Sequence, residues 1–369
     1  MTDIRFQPLA DAMRRGELDA IAIIPGANFL RVLGRDFHLM ERPFLLIAPR
    51  DGEPVAIVPN LEMASFSTLG FTGQVFDWRD EAGYMDAFQA AGEALPQLRA
   101  AKHFGVEGQR MRVFEYLALG KAFPGATIVD AHATISSIRL QKTSDEIALL
   151  KQAIRISEEA LEATLAQVRA GMTETEVQAI LTREMFARGA EGLAFDPIIA
   201  AGGNSAQPHA QARRDYTIKP GDALLFDFGA RFGGYNADIT RTFFVGEVSE
   251  HDRAFYDTVL AANEEGRRAT KAGATAHDVD DRVQKVLENS QFAAFRRHKT
   301  GHGLGLEVHE APQIMRGNHA TLEQGMVFTV EPGLYRLGEC GVRIEDDVVV
   351  TEAGCETLTT FPRDLRIIG

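Results

Sequence analysis

Hydrophobic positions fall along this chain in two textures. Up to about residue 140 they come as short β-prone runs: Leu18 to Ile24, Phe44 to Ala48, Val55 to Val58 beyond an Asp51-Gly52 turn, His103 to Val106 and Thr127 to Val129. An amphipathic stretch from Tyr84 to Ala101 separates the earlier runs from the later ones. Strands alternating with helical stretches predict a small α/β domain, and no Walker or dinucleotide fingerprint accompanies them. At Thr143 the pattern changes. Thr143 and Glu146 have capping-box spacing and open a long helical pattern, SDEIALLKQAIRISEEALEATLAQVRA, expected to end at Gly171. The boundary is placed there, with one domain over 1–140 and a larger one over 141–369.

Beyond the boundary the chain repeats itself. Arg169-Ala-Gly-Met-Thr-Glu-Thr-Glu-Val177 matches Lys271-Ala-Gly-Ala-Thr-Ala-His-Asp-Val279, each stopping a helix at glycine and starting another capped by Thr173 or Thr275. At nearly the same offset, Gly221-Asp-Ala-Leu-Leu-Phe-Asp227-Phe-Gly229 matches Gly325-Met-Val-Phe-Thr-Val-Glu331-Pro-Gly333, with a carboxylate in the same place. Gly203 and His209 are spaced as Gly303 and His309 are. A duplicated unit of paired helices and a hairpin accounts for this, and predicts an α+β domain with pseudo-twofold symmetry whose two halves bring acids to a shared centre.

The alternation of side chains along a strand says where those acids point. Asp227 lies opposite Leu224, Phe226 and Phe228, which read as a core face. A Gly233-Gly234 turn returns the chain through Tyr235-Asn-Ala-Asp238-Ile-Thr240-Arg-Thr242, where Asp238, Thr240 and Thr242 share a face. The second half repeats the device, with Glu331 ahead of a Pro-Gly turn and Glu345 in the returning strand Gly341-Val-Arg343-Ile-Glu345-Asp, on the face of Arg343. Four carboxylates converging in a partly buried place repel one another unless protons or cations intervene. Divalent metal is the economical answer. His302, in Thr300-Gly-His-Gly-Leu-Gly-Leu-Glu-Val-His309-Glu, is the candidate imidazole, its small neighbours allowing close approach. Oxygen ligands with one imidazole suit two ions of Mn, Co, Fe or Zn, roughly 3.5 Å apart.

Composition narrows the partners. At 45% hydrophobic and 25% charged, 369 residues suffice for two globular cores, and 39 basic against 52 acidic residues, a net charge of −13, disfavour nucleic acid or an anionic membrane. No run of eighteen apolar residues is present, and the opening MTDIRFQPLADAMRRGELD is too polar for a secretory segment, so a cytoplasmic protein is expected. Cys340 and Cys355 lie outside any CxxC or Cys/His spacing, which excludes a disulfide framework and a thiolate zinc site.

Residues 195 to 350 resemble the pita-bread metallopeptidase family (M24) that includes Xaa-Pro dipeptidase (prolidase), Xaa-Pro aminopeptidase and methionine aminopeptidase. The resemblance rests on Gly203-Asn-Ser-Ala-Gln-Pro-His209, Asp227-Phe-Gly, Tyr235-Asn-Ala-Asp238-Ile-Thr-Arg-Thr, Gly301-His302-Gly-Leu-Gly-Leu, Glu331-Pro-Gly and Arg343-Ile-Glu345-Asp. The first 140 residues resemble the creatinase-type N-terminal domain, which methionine aminopeptidases lack, and Arg139-Leu-Gln-Lys142-Thr-Ser-Asp-Glu resembles the joint between domains. The resemblance implies a pita-bread domain preceded by a smaller α/β domain, and two divalent ions, manganese first, with Asp227, Asp238, His302, Glu331 and Glu345 as ligands. It also implies amide hydrolysis by a metal-bridged hydroxide, with Glu331 carrying the proton and His209 and His309 steadying the substrate and the oxyanion. For Arg343 two expectations stand, binding of the substrate carboxylate or pairing with Glu345 and Asp346.

Short Xaa-Pro dipeptides are the first expected substrate. Some prolidases carry arginine where this chain has Gln313, which keeps an Xaa-Pro aminopeptidase acting on longer peptides, and a hydrolase of a small non-peptide amide, open as alternatives. A non-catalytic binding module is the remote one, and a homodimer is implied by resemblance alone. Taken singly, an acid beside glycine is a turn residue. His38, His103, His132, His251, His277 and His319 read as surface or satisfied core residues, His298 as a neighbour of the ligands, and Phe228, Phe243 and Phe244 as core.

Overall fold

The strands near the N-terminus are apolar at successive positions because both faces of their sheet are covered. In the computed structural model, which describes residues 4–369, the chain divides into two units, Met1–Arg139 and Leu140–Gly369. The first holds six strands: β1 (Ala20–Ile23), β2 (Leu45–Pro49), β3 (Val55–Pro59), β4 (Gln74–Trp78), β5 (His103–Val106) and β6 (Thr127–Asp130), in the order β4-β3-β2-β1-β5-β6. Ile21, Ile23, Leu46 and Val58 pack on one side with the helices Gln7–Arg15 and Ala27–Leu33. Ala20, Ala22, Leu45 and Ile57 pack on the other with Met85–Ala94 and Val113–Ala122. A strand covered twice shows no polar alternation. The stretch Tyr84 to Ala101 is two helices rather than one, Met85–Ala94 and Pro96–Ala100. Leu95 between them is extended, at φ −127° and ψ 136°, because the ring of Pro96 disfavours the helical conformation in the residue before it.

The second unit opens with the helix Ser144–Leu165, whose capping box pairs Thr143 with Glu146 as its spacing predicts. It stops at Leu165, short of the expected Gly171. The N–H of Gly171 donates to the carbonyl of Ile218 at 2.8 Å, so a tertiary contact draws this segment out of the helix.

Fourteen further strands follow: β7 (Gly192–Leu193), β8 (Ile198–Ala201), β9 (Ala223–Phe228), β10 (Ala230–Phe232), β11 (Tyr235–Asn236), β12 (Ile239–Val245), β13 (Gly301–Gly303), β14 (Glu310–Ile314), β15 (Val327–Val330), β16 (Gly333–Arg336), β17 (Cys340–Arg343), β18 (Asp346–Val350), β19 (Cys355–Thr357) and β20 (Ile367–Ile368). Two sheets carry the unit, β20-β12-β9-β8 and β14-β13-β15-β18-β19. Within them β8, β9 and β12 correspond to β13, β15 and β18. Small hairpins interrupt both halves at the same place, β10 and β11 in one and β16 and β17 in the other.

The duplication is visible in single hydrogen bonds. Gly171 N–H to Ile218 O is mirrored by Gly273 N–H to Leu322 O, and Ile218 N–H to Met172 O by Leu322 N–H to Ala274 O. Thr173, capping Glu174–Ala187, bridges to Thr217; Thr275, capping Ala276–Glu288, bridges to Thr321. The glycines that stop the preceding segments take left-handed conformations, Gly171 at φ 94° and Gly273 at φ 85°, where a side chain would be strained.

Candidate metal centre

Each half delivers its acids at a strand and at the joint into the next. Asp227 lies on β9, opposite Thr240 of β12 and Ile198 of β8, and Asp238 directly precedes β12. Glu331 ends β15. Glu345 does not belong to the returning strand of its hairpin as the sequence pattern indicated: it sits between β17, which pairs with β16, and β18, which pairs with β15. The chain changes partner there, and the change turns the carboxylate inward.

His302 is held by its neighbours' lack of side chains. A Cβ on Gly301 would lie 1.9 Å from the Thr329 carbonyl oxygen, and one on Gly303 2.1 Å from that of Ala311. Only glycines let β14 and β15 close on both sides of the histidine.

These groups line one cavity of about 1080 Å³, together with His209, His309, His298, Lys299, Gln313, Arg343 and several apolar side chains including Phe195, Ile198 and Val308. Ligand atoms of Asp238, His302 and Glu345 all lie within 4.8 Å of one another. His302 Nε2 stands 3.7 Å from Asp238 Oδ2 and 3.4 Å from Glu331 Oε1. Its ring packs edge-on against His309, the centroids 4.3 Å apart.

The electrostatics ask for a cation. Burial raises the carboxyl groups of Asp227, Asp238 and Glu345 above their ordinary range, and for Asp238 and Glu345 the neighbouring acids raise them further. Burial pushes Glu331 up to about 7 against the pull of Arg343. His302 is held down to about 3 by burial and by His309, so it is neutral at pH 7. Its Nδ1 meets the Gly303 carbonyl at 3.1 Å, which places the ring proton there and leaves the Nε2 lone pair facing two carboxylates. Electron-pair donors aimed at one another fit a metal, with the backbone carbonyl fixing the imidazole from behind.

Around the acids the two halves are laced together. Thr240 Oγ1 donates to Glu345 Oε2 at 2.6 Å and accepts from Arg343 Nε at 3.0 Å. Arg343 pairs with Asp227 and donates to the Tyr335 hydroxyl at 2.8 Å, so neither Glu345 nor Asp346 is its partner. Asp346 is taken instead by Arg241 at 2.8 Å and Arg363 at 2.6 Å, while Arg241 also donates to the Glu345 carbonyl at 2.6 Å. His298 meets the Tyr335 hydroxyl at 2.7 Å, one step behind the converging acids.

Two supports were not evident from sequence. Glu174 accepts from Ala201 N–H at 2.7 Å and Arg213 N–H at 2.6 Å, tying both ends of the loop that carries His209. Asp280 accepts from Thr300 N–H at 2.9 Å and Arg316 N–H at 2.8 Å, tying both ends of the segment that carries His302 and His309. Only their presence on helices beginning at the repeated Thr caps hinted at them.

The family model for "Metallopeptidase family M24" matches residues 148–352, more than half the chain, and the "Creatinase/Prolidase N-terminal domain" model matches residues 5–141. The chain belongs to metallopeptidase family M24. Members of that family act with divalent metal ions, as the donor set here accommodates. Among solved structures the chain is similar to the Xaa-Pro dipeptidase from Bacillus anthracis, with TM-score 0.88 and 31% identity, covering 99% of each chain. It is similar to a recombinant prolidase from Thermococcus sibiricus, with TM-score 0.92 and 30% identity over 100% of both chains. The X-Pro aminopeptidase from Thermotoga maritima matches with TM-score 0.83 and 33% identity over 98% of each. Among the described residues no helix is long and apolar enough to cross a membrane.

Proposed function

We propose that this M24 metallopeptidase hydrolyses the amide bond before proline in Xaa-Pro dipeptides, with two divalent ions held by Asp227, Asp238, His302, Glu331 and Glu345. The observation that carries the metal assignment is the convergence of donor atoms in one cavity, with His302 Nε2 3.7 Å from Asp238 and 3.4 Å from Glu331, and those of Asp238, His302 and Glu345 within 4.8 Å of one another. The substrate class is supported by the similarity to the Bacillus anthracis Xaa-Pro dipeptidase over nearly the whole of both chains. Manganese is the first choice, since the donors are hard carboxylates with a single imidazole.

When bound, the metal pair lowers the pKa of the attacking water and polarises the scissile carbonyl. Glu331, whose carboxylate lines the cavity 3.4 Å from His302 Nε2, would take the water's proton and pass it towards the leaving nitrogen. His209 and His309 line the same cavity from the two halves and steady the substrate and the oxyanion. Arg343, buried against Asp227, Tyr335 and Thr240, orients Asp227 and faces the cavity where a substrate would lie. A homodimer accompanies this reading by resemblance.

A second reading, an Xaa-Pro aminopeptidase acting on longer peptides, is favoured by the similarity to the Thermotoga maritima enzyme. Release of proline from Ala-Pro under Mn²⁺, compared with cleavage of Ala-Pro-Ala, tests the choice. Faster turnover of the dipeptide is expected; preference for the tripeptide reverses the assignment, and silence on both removes the Xaa-Pro substrate altogether.

A further inference from the structure

Three cationic side chains are among those lining the cavity: Arg297, Lys299 and Arg343. Arg343 is buried and spends Nε, Nη1 and Nη2 on Thr240, Tyr335 and Asp227. Arg297 is exposed, and its Nη1 donates to the carbonyls of Ala294 and Arg296. Lys299 is half-buried, three residues before His302, and its ammonium donates to Gln313 Oε1 at 2.5 Å. Gln313 is the cross-strand partner of His302, and its own amide donates to the Glu310 carbonyl at 3.1 Å. The ammonium is therefore held in place beside the ligand-bearing strand, with one of its three N–H bonds used on Gln313. Lys299 lines the same cavity as His302, His309 and Glu331.

We infer that Lys299, steadied by Gln313, binds the free C-terminal carboxylate of the substrate and so selects dipeptides over longer peptides. The assignment rests on the Xaa-Pro reading above and deepens it. Two divalent ions would balance the charge of Asp227, Asp238, Glu331 and Glu345, leaving an approaching substrate carboxylate to find its own cation. Among the described residues lining the cavity, Lys299 is the one that combines partial burial with an ammonium not fully engaged by the protein. An ammonium acts as a point charge and accepts a carboxylate from a range of directions, whereas a guanidinium needs a planar fork. A longer peptide presents a neutral amide at the same place and gains less from that charge, so discrimination follows from charge rather than from shape.

The test compares free acid with amide in the Mn²⁺-loaded, full-length protein. Cleavage of Ala-Pro and Ala-Pro-NH₂ is followed kinetically, and binding of L-proline and L-prolinamide by titration calorimetry. The wild type is expected to favour the free acid in both assays by at least roughly tenfold, the scale of one charge-assisted hydrogen bond. Lys299→Met should abolish that preference through KM, and Lys299→Arg should retain most of it. Wild-type protein that treats acid and amide alike, or a Lys299→Met variant that keeps the preference or weakens both ligands equally, overturns the assignment and leaves Xaa-Pro hydrolysis standing. Wild-type protein that cleaves neither peptide overturns both.

Discussion

The two halves of the second unit use the same backbone hydrogen bonds to present different chemistry. The first offers aspartates, Asp227 and Asp238; the second offers glutamates, Glu331 and Glu345, and adds His302. Their supports differ likewise. Glu174 braces the first loop from the first residue of its helix, whereas Asp280 braces the second from one turn further in, yet each bonds one N–H on either side of its loop. A longer side chain at the helix start and a shorter one deeper in reach the same place. What the duplication conserves is thus the frame, and side-chain length and identity are adjusted on it.

If the halves meet in one metal centre, an acid from either should be indispensable. Asp238→Asn and Glu345→Gln should each lower bound metal, read by elemental analysis, and reduce peptidase activity by at least about 10³-fold, because a carboxamide replaces an anionic ligand in a buried site. A drop confined to one half would break the comparison. The link between halves is probed by Thr240→Val, which removes the hydroxyl shared by Glu345 and Arg343. Metal affinity measured by competition with a chelator should fall about 10- to 100-fold.

The braces should act on stability more than on chemistry. Glu174→Gln and Asp280→Asn each weaken charge-assisted bonds to buried N–H groups and should cost on the order of 1–3 kcal/mol in denaturant unfolding. Similar losses are expected from both if the two acids do one job.

Metal-free protein should respond to pH through the same acids. Glu331 titrates near 4.5 unfolded and about 7 folded, so above 4.5 the folded state holds more proton, and its contribution to stability is lost as pH rises through 7. Burial also lowers His302 and His298, to about 3 and about 4 folded against 6.5 unfolded, which opposes this below 6.5 and fades above it, while Asp238 and Glu345, raised well above their ordinary values, add to the fall. Thermal unfolding in chelator should therefore fall between pH 6.5 and ~8, and added metal should flatten the slope. The smallest effect belongs to the caps: Thr173→Ala and Thr275→Ala should each cost about 1 kcal/mol. Unequal costs would show which half depends more on its helix.

Much of this architecture was legible in the sequence because it is local. Capping boxes at Thr143, Thr173 and Thr275, glycine stops at Gly171 and Gly273, and matched acid spacings are written in neighbouring residues, and a duplicated segment can be compared with itself. The strand β4 and the helices of the first unit were less so, since β4 is half-exposed and the sheet's doubly covered strands lack alternation. The break at Leu95 is equally local, since the ring of Pro96 sets it.

What the tertiary structure alone decided is who meets whom. Spacing placed Arg343 beside Glu345, but the switch from β17 to β18 separates them and gives Arg343 to Asp227 of the other half, more than a hundred residues away. Nothing near Lys299 in sequence names Gln313, and nothing near Glu174 names Ala201. The sequence by itself determined the repeated frame and the donor types, because hydrogen bonds and turn preferences act over a few residues. Pairing across the sheets depends on where distant segments are brought by packing, and it is that pairing which sets the charge, tautomer and proton affinity of each group in the cavity.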